Sequence, residues 1–409
     1  MLTAARLGAA ALSAALLTGV AAAPALADVP TPVVPDGLYG KSDPTYDGVW
    51  RQSLALTALA GAKVTPADSA VGWLTGQQCE DGGWPSFRAA GAACDAKFED
   101  SNATSVAVQA LIALGGHKDA VDKGVQWLKA NQNADGSWAY NPGNPGDANS
   151  TGLAVNALLA AGADPAGVAK AGRSAYDGLA LYQLGCTAPA DQRGAFAYQP
   201  AAQGGALAPN GLATGQAALA AVGGHLPVAT TARTDAAPRA LACPDPSAAA
   251  VPRADSGEAV TAYLTAQLAA GGGHLTQTLP GAAPAPDYTA TAWAALSLIQ
   301  SGHPQQAEGS VDWLLEEGGA WTKNGGDAGA TASLLLVTQA AHRDTAAATG
   351  QLTALGPAPK ATEAPTAAAT TKPKGDNSTG QYWLIGIGLL VGIGGGLLLS
   401  LQRKRSQRL

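Results

Sequence analysis

The chain has 409 residues, a formal charge of −6 at pH 7, and three Phe against nine Trp. A net negative chain offers no electrostatic footprint for a nucleic acid. Its five His and four Cys lack the close Cys-x-x-Cys and His spacing of a zinc site, so no metal or cofactor is expected.

The N-terminus reads as a targeting segment. Arg6, an apolar Ala- and Leu-rich run over 8–23 and the trio Ala25-Leu26-Ala27 have the layout of a secretory signal peptide, residues 1–27. The folded part is then 28–355, long for one ordinary core but natural for repeats closed on themselves.

Within it a turn recurs. "VGWLTGQQCEDGGWPSF" (71–87) and "VQWLKANQNADGSWAY" (125–140) align position for position, with Trp84 and Trp138 54 residues apart. Weaker copies are "YQLGCTAPADQRGAFAY" (182–198), with Phe196 for the Trp, and "VDWLLEEGGAWTKNGG" (311–326), shortened ahead of Trp321. "YLTAQLAAGGGHL" (263–275) keeps the glycines and loses the aromatic.

Six small, apolar helices are predicted to open at Asp47, Asp100, Asp147, Asn210, Asp287 and Asp327, each followed by a more polar helix. The first kind is apolar nearly all round and suits a buried inner ring. The second, such as "KDAVDKGVQWLKANQ" (118–132), has one apolar stripe of Val121, Val125 and Leu128 and suits an outer layer. Six such pairs predict an all-α fold, an α6/α6 toroid that leaves no exposed end.

The cysteines Cys79, Cys94, Cys186 and Cys243 fall in an oxidising compartment, where an even count invites pairing. Three connectivities are open; proximity favours Cys79 with Cys94, which leaves Cys186 with Cys243. The Pro- and Ala-rich insertion from Leu226 to Ala254 either lies over the cavity as a lid or loops outside.

Residues 356–380, rich in Pro, Thr and Ala, read as an extended spacer. An uncharged run within 381–401 is long enough for a membrane helix, and Arg403, Lys404, Arg405 and Arg408 in the tail 402–409 place that tail in the cytoplasm. This predicts a single-pass cell-membrane protein with its domain outside. Gly388, Gly392 and Gly396 form a face through which two such helices could pair into a homodimer.

The turns Gln78, Asp81, Gly82, Gly83, Trp84 and Gln132, Asp135, Gly136, Ser137, Trp138 resemble the "QW" turns of the prenyltransferase and squalene-cyclase repeat family, the resemblance running over about 47–355. It implies that the turns are structural, with Gln packed on the Trp ring and capping the next helix, and Trp321 marking a shortened copy. The family's catalytic marks are missing: there is no Asp-x-Asp-Asp acid cluster, no Asp-x-Cys zinc signature, and few aromatics to stabilise carbocations. Gly185-Cys186-Thr187-Ala188 departs from the Gly-Cys-Gly-Glu-Gln of thioester domains, and cobalamin carriers use a second domain that this chain lacks. His117, His225, His303 and His342 follow the inner helices and read as helix-end caps.

No catalytic residue is therefore assigned. Because the inner helices run parallel, Asp47, Asp100, Asp147, Asn210, Asp287 and Asp327 should gather at one mouth, with Tyr140 and Tyr288 beside them. Good N-caps explain such residues plainly; the sharper expectation is a rim for a cationic or hydroxyl-rich ligand. Together these features predict a membrane-anchored bacterial surface domain that binds a small molecule or a surface partner. An isoprenoid-handling cyclase or prenyltransferase with an atypical acid is the alternative, and a structural wall protein the third.

Overall fold

The computed structural model describes residues 33–200, 205–278 and 281–361. The segments expected to be the signal peptide, most of the spacer, the membrane helix with Gly388, Gly392 and Gly396, and the basic tail lie outside them. Among the described residues no helix is long and apolar enough to cross a membrane.

The fold is almost wholly helical: α1 Gly48–Gly61, α2 Asp68–Gly76, α3 Ser101–Leu114, α4 Lys118–Ala130, α5 Ala148–Ala160, α6 Ala175–Ala180, α7 Gly211–Ala221, α8 Arg253–Ala270, α9 Tyr288–Gln300, α10 Pro304–Trp321, α11 Ala328–Ala340 and α12 Ala346–Ala354. Two short antiparallel hairpins interrupt it, β1 Ala169–Lys170 with β2 Arg173–Ser174, and β3 Thr276–Gln277 with β4 Ala285–Pro286. The odd-numbered helices form the inner ring: each packs on the next, and α11 packs on α1 to close it. Each even-numbered helix lies outside, against the inner helix before it.

Local chemistry sets where the inner helices begin. The side chains of Asp100, Asp147, Asn210, Asp287 and Asp327 each accept from a backbone N–H of the first turn, satisfying donors that no helix can pair internally. Asp47 differs. It binds the buried Arg51 guanidinium at 2.7 Å, and Arg51 also donates to the Tyr39 carbonyl at 2.9 Å, so this pair ties the entering segment to the ring. Small residues then let the helices close up. A Cβ on Gly152 of α5 would sit 2.9 Å from Cα of Ala217 on α7, and one on Gly215 of α7 would sit 2.9 Å from Cβ of Trp293 on α9.

The turns join neighbouring outer helices. Gly82, Gly136 and Gly194 have φ of +106°, +89° and +88°, a left-handed backbone that favours glycine. A Cβ on any of them would strike a carbonyl at the next outer helix: Lys123 in α4, Ser174 before α6, Ala259 in α8. A glutamine fastens each approach. Gln78 Nε2 donates to the Ala120 carbonyl at 2.9 Å, Gln132 to Val168 at 3.3 Å and Gln183 to Ser256 at 3.0 Å. These glutamines bind carbonyls and so do not cap the N–H groups of the next helix.

Trp84 and Trp138 are fully buried, and their indole N–H groups donate to the Leu74 and Leu128 carbonyls at 2.9 and 2.8 Å. Their backbone N–H groups donate to the hydroxyls of Thr104 and Thr151; Phe196 and Leu275 do the same to Thr214 and Thr291.

Trp321 makes no such turn. It is the last residue of α10, because the stretch before it lacks the Asp-Gly that stops α2 and α4, and the chain reverses afterwards at Lys323 and Asn324. The histidines also depart from their expected role. Positive-φ glycines such as Gly116, Gly223 and Gly302 turn the chain away from the preceding helix, and His117 and His303 open the next outer helices without a side-chain cap. Of the four, His225 meets the Leu226 carbonyl at 3.2 Å and His303 lies 3.6 Å from Glu258.

The cysteines pair as Cys79 with Cys94 and Cys186 with Cys243. The insertion after α7 is neither a lid on the mouth nor an outer loop at its start. It crosses the C-terminal ends of the inner helices: Leu226 donates to Gln109 of α3 at 2.8 Å, Thr234 to the Gly302 carbonyl after α9 at 2.8 Å, and Arg233 lies beside His342 after α11. Leu226 and Val228 are buried there.

Candidate functional site

The N-terminal ends of the inner helices surround a cavity of about 730 Å³. Asp47, Asp100, Asp147, Asn210, Asp287 and Tyr140 line it together. Asp327 and Tyr288 do not. Asp327 takes Lys323 Nζ at 3.0 Å and caps α11, while the Tyr288 ring lies between Trp313 and Trp321 at 4.7 and 5.9 Å. Both lie beside α10 and the reversal that follows it.

Residues that the sequence did not single out complete the lining. Asn102 on α3, Asn149 on α5 and Gln216 on α7 contribute amides, and Tyr46, Trp50 and Tyr198 contribute rings. Among the described residues no Lys, Arg or His lines the cavity. Trp50 meets Trp293 of α9 across the ring at 6.5 Å. Asn102 and Asn149 are the second residues of α3 and α5 and Gln216 is the sixth of α7, and in helices apolar nearly all round periodicity alone could not separate these amides from core positions.

Three of the lining carboxylates, Asp47, Asp100 and Asp147, are held where ionisation is disfavoured. Burial raises Asp100 above the ordinary range against hydrogen bonds from the Ala103 and Asn102 N–H groups and Ser86; Ser86 in turn bonds the Tyr140 hydroxyl at 2.7 Å. Burial likewise raises Asp147, which accepts from the Ser150 N–H and hydroxyl, and Asp47, where Arg51 opposes the effect. Tyr140 is pushed up to about 12 by burial, with Asp100 adding to it.

A second acid stands outside the cavity. Glu99 is 2% exposed and accepts from the Trp127 indole at 2.5 Å. Burial, and then repulsion from Asp81, lift it from 4.5 to about 7. It lies close to Cys79 and Cys94, whose sulfurs are joined to each other and offer no thiolate to a metal.

A closed ring of helix pairs, stapled by Gln, left-handed Gly and a buried aromatic, defines the repeat class. Residues 36–148 match the family model of the squalene-hopene cyclase C-terminal domain, within the prenyltransferase/squalene oxidase repeat family. Among solved structures the chain is similar to the crystal structure of a protein from Actinoplanes: 14% identical, TM-score 0.46, covering 75% of this chain and 94% of that one. No curated protein matches.

Proposed function

We propose that this chain is a non-catalytic toroid of a bacterial cell surface, anchored by its C-terminal helix, that takes a small polar molecule or a surface partner into the mouth of its inner ring. The observation that carries the reading is the cavity itself, lined by carboxylates, amides and aromatic rings, with Asp100, Asp147 and Asp287 already committed to helix caps and Asp47 to Arg51. A catalyst needs a proton donor aimed at substrate. Asp100 instead spends its oxygens on two backbone N–H groups and Ser86. The two disulfides suit an extracellular domain.

Native mass spectrometry of the full chain, with identification of any retained mass, tests the reading. A polar molecule retained by the wild type and lost when mouth residues are replaced is expected; an empty chain that binds nothing would remove the cavity reading. The alternative, an isoprenoid-handling enzyme with an atypical acid, draws on the raised Asp100. Incubation with squalene and prenyl diphosphates is expected to give no product. A product that disappears in Asp100→Asn would replace binding by catalysis.

A further inference from the structure

We propose that the occupant of the cavity is a neutral, hydroxyl-rich ring, a saccharide; the assignment rests on the cavity reading above. Four lining carboxylates suggest a cation at first sight. The helices argue otherwise. Each N-terminus carries about +0.5 charge, so the five inner helices whose N-cap residues line the cavity bring about +2.5 to the mouth, and Arg51 neutralises Asp47 from behind. The field inside is close to balanced.

What remains to hold a ligand is amide. Asn102, Asn149 and Gln216 stand on the consecutive inner helices α3, α5 and α7. Asn149 Nδ2 donates to Gln216 Oε1 at 2.6 Å, which fixes both groups. Gln216 is only 5% exposed, and its Nε2 has no hydrogen-bond partner among the described residues. Asn102 Oδ1 is a buried acceptor, likewise without a partner among them. The lining therefore holds both an unpartnered donor and an unpartnered acceptor. A cation can only donate and would leave Gln216 Nε2 unpaired, whereas a hydroxyl both donates and accepts and can use both kinds of group. Trp50, Tyr140 and Tyr198 supply flat apolar faces for the C–H side of a sugar ring.

The test is calorimetric titration of the full chain with neutral oligosaccharides, including glucans and N-acetylglucosamine oligomers, and with choline and spermidine. A saccharide should bind. Gln216→Glu keeps the acceptor for Asn149, removes the donor and should weaken that binding about tenfold. Tyr198→Ala removes a ring that is 46% exposed, so the fold is preserved, and should also weaken binding. If choline or spermidine binds instead, and binds more tightly to Gln216→Glu, the saccharide assignment fails while the cavity reading stands. If no saccharide binds at millimolar concentration, the assignment fails, and retained mass decides the cavity reading separately.

Discussion

Between α2 and α7 each outer helix ends in a glutamine, a left-handed glycine and a buried aromatic, whereas between α8 and α12 the glycine stays and the other two go. Gly273, with φ of +96°, lies against the Gly309 carbonyl of α10, and Gly325, with φ of +83°, against Gln351 of α12. Leu275 stands where Trp84 and Trp138 stand in the first half, and His274, Trp313, Tyr288 and Trp321 stack outside it. Glycine is thus the geometric requirement that lets one outer helix approach the next. Glutamine and tryptophan are stabilisers that other packing can replace. The family match over residues 36–148 falls on the half with complete turns.

The widest contrast is between Trp138→Ala and Leu275→Ala. The first should lose about 3–5 kcal/mol and the second about 2 kcal/mol in urea melts; equal losses would mean that the halves do not differ in this way. Next, Gly136→Ala forces both a left-handed alanine and a clash with the Ser174 carbonyl, while Gly223→Ala, with φ of +76° and open space, bears only the first. Melting should show about 1 kcal/mol lost at Gly223 and about 2–3 kcal/mol at Gly136.

Glu99 sharpens the comparison by pH. Its folded value, about 7, lies above its ordinary 4.5, so the folded state holds the proton more tightly. Stability is full below the ordinary value and falls as pH rises through 7. Glu99→Gln should remove that decline and raise stability at pH 8 by about 1–3 kcal/mol relative to wild type; parallel pH curves for the two proteins would refute it. The smallest effect concerns the inner-helix threonines. Thr151→Val orphans the Trp138 N–H and should cost about 1 kcal/mol, whereas the Thr331 hydroxyl has no partner among the described residues, so Thr331→Val should be neutral.

The starts of the inner helices were legible because N-caps are local chemistry, read within three residues of Asp100 or Asp147. The first two turns were legible because a tight reversal needs its glycine in sequence. Gln183 was missed although it occupies the position of Gln78 and Gln132 in the third copy, and the threonines passed for small core residues. Asp327 and Tyr288 were expected at the mouth, but their partners, Lys323 and the two tryptophans, come from the reversal after α10 and from α10 itself, whose length depended on the lost turn. Glu99 and the amides at Asn102, Asn149 and Gln216 take their character from neighbours far along the chain, which no local pattern carries.

The segment that crosses the C-terminal ends of the inner helices has a kinetic consequence. With the insertion lying across that end, the mouth formed by the N-terminal ends is the route for a molecule that enters and leaves the cavity past Tyr46, Tyr140 and Tyr198. A cover over the mouth that binds the empty and the filled ring equally well would slow arrival and departure by the same factor. It would lengthen the lifetime of the complex without changing its affinity, so that occupancy and residence become separately adjustable at the same ring of residues.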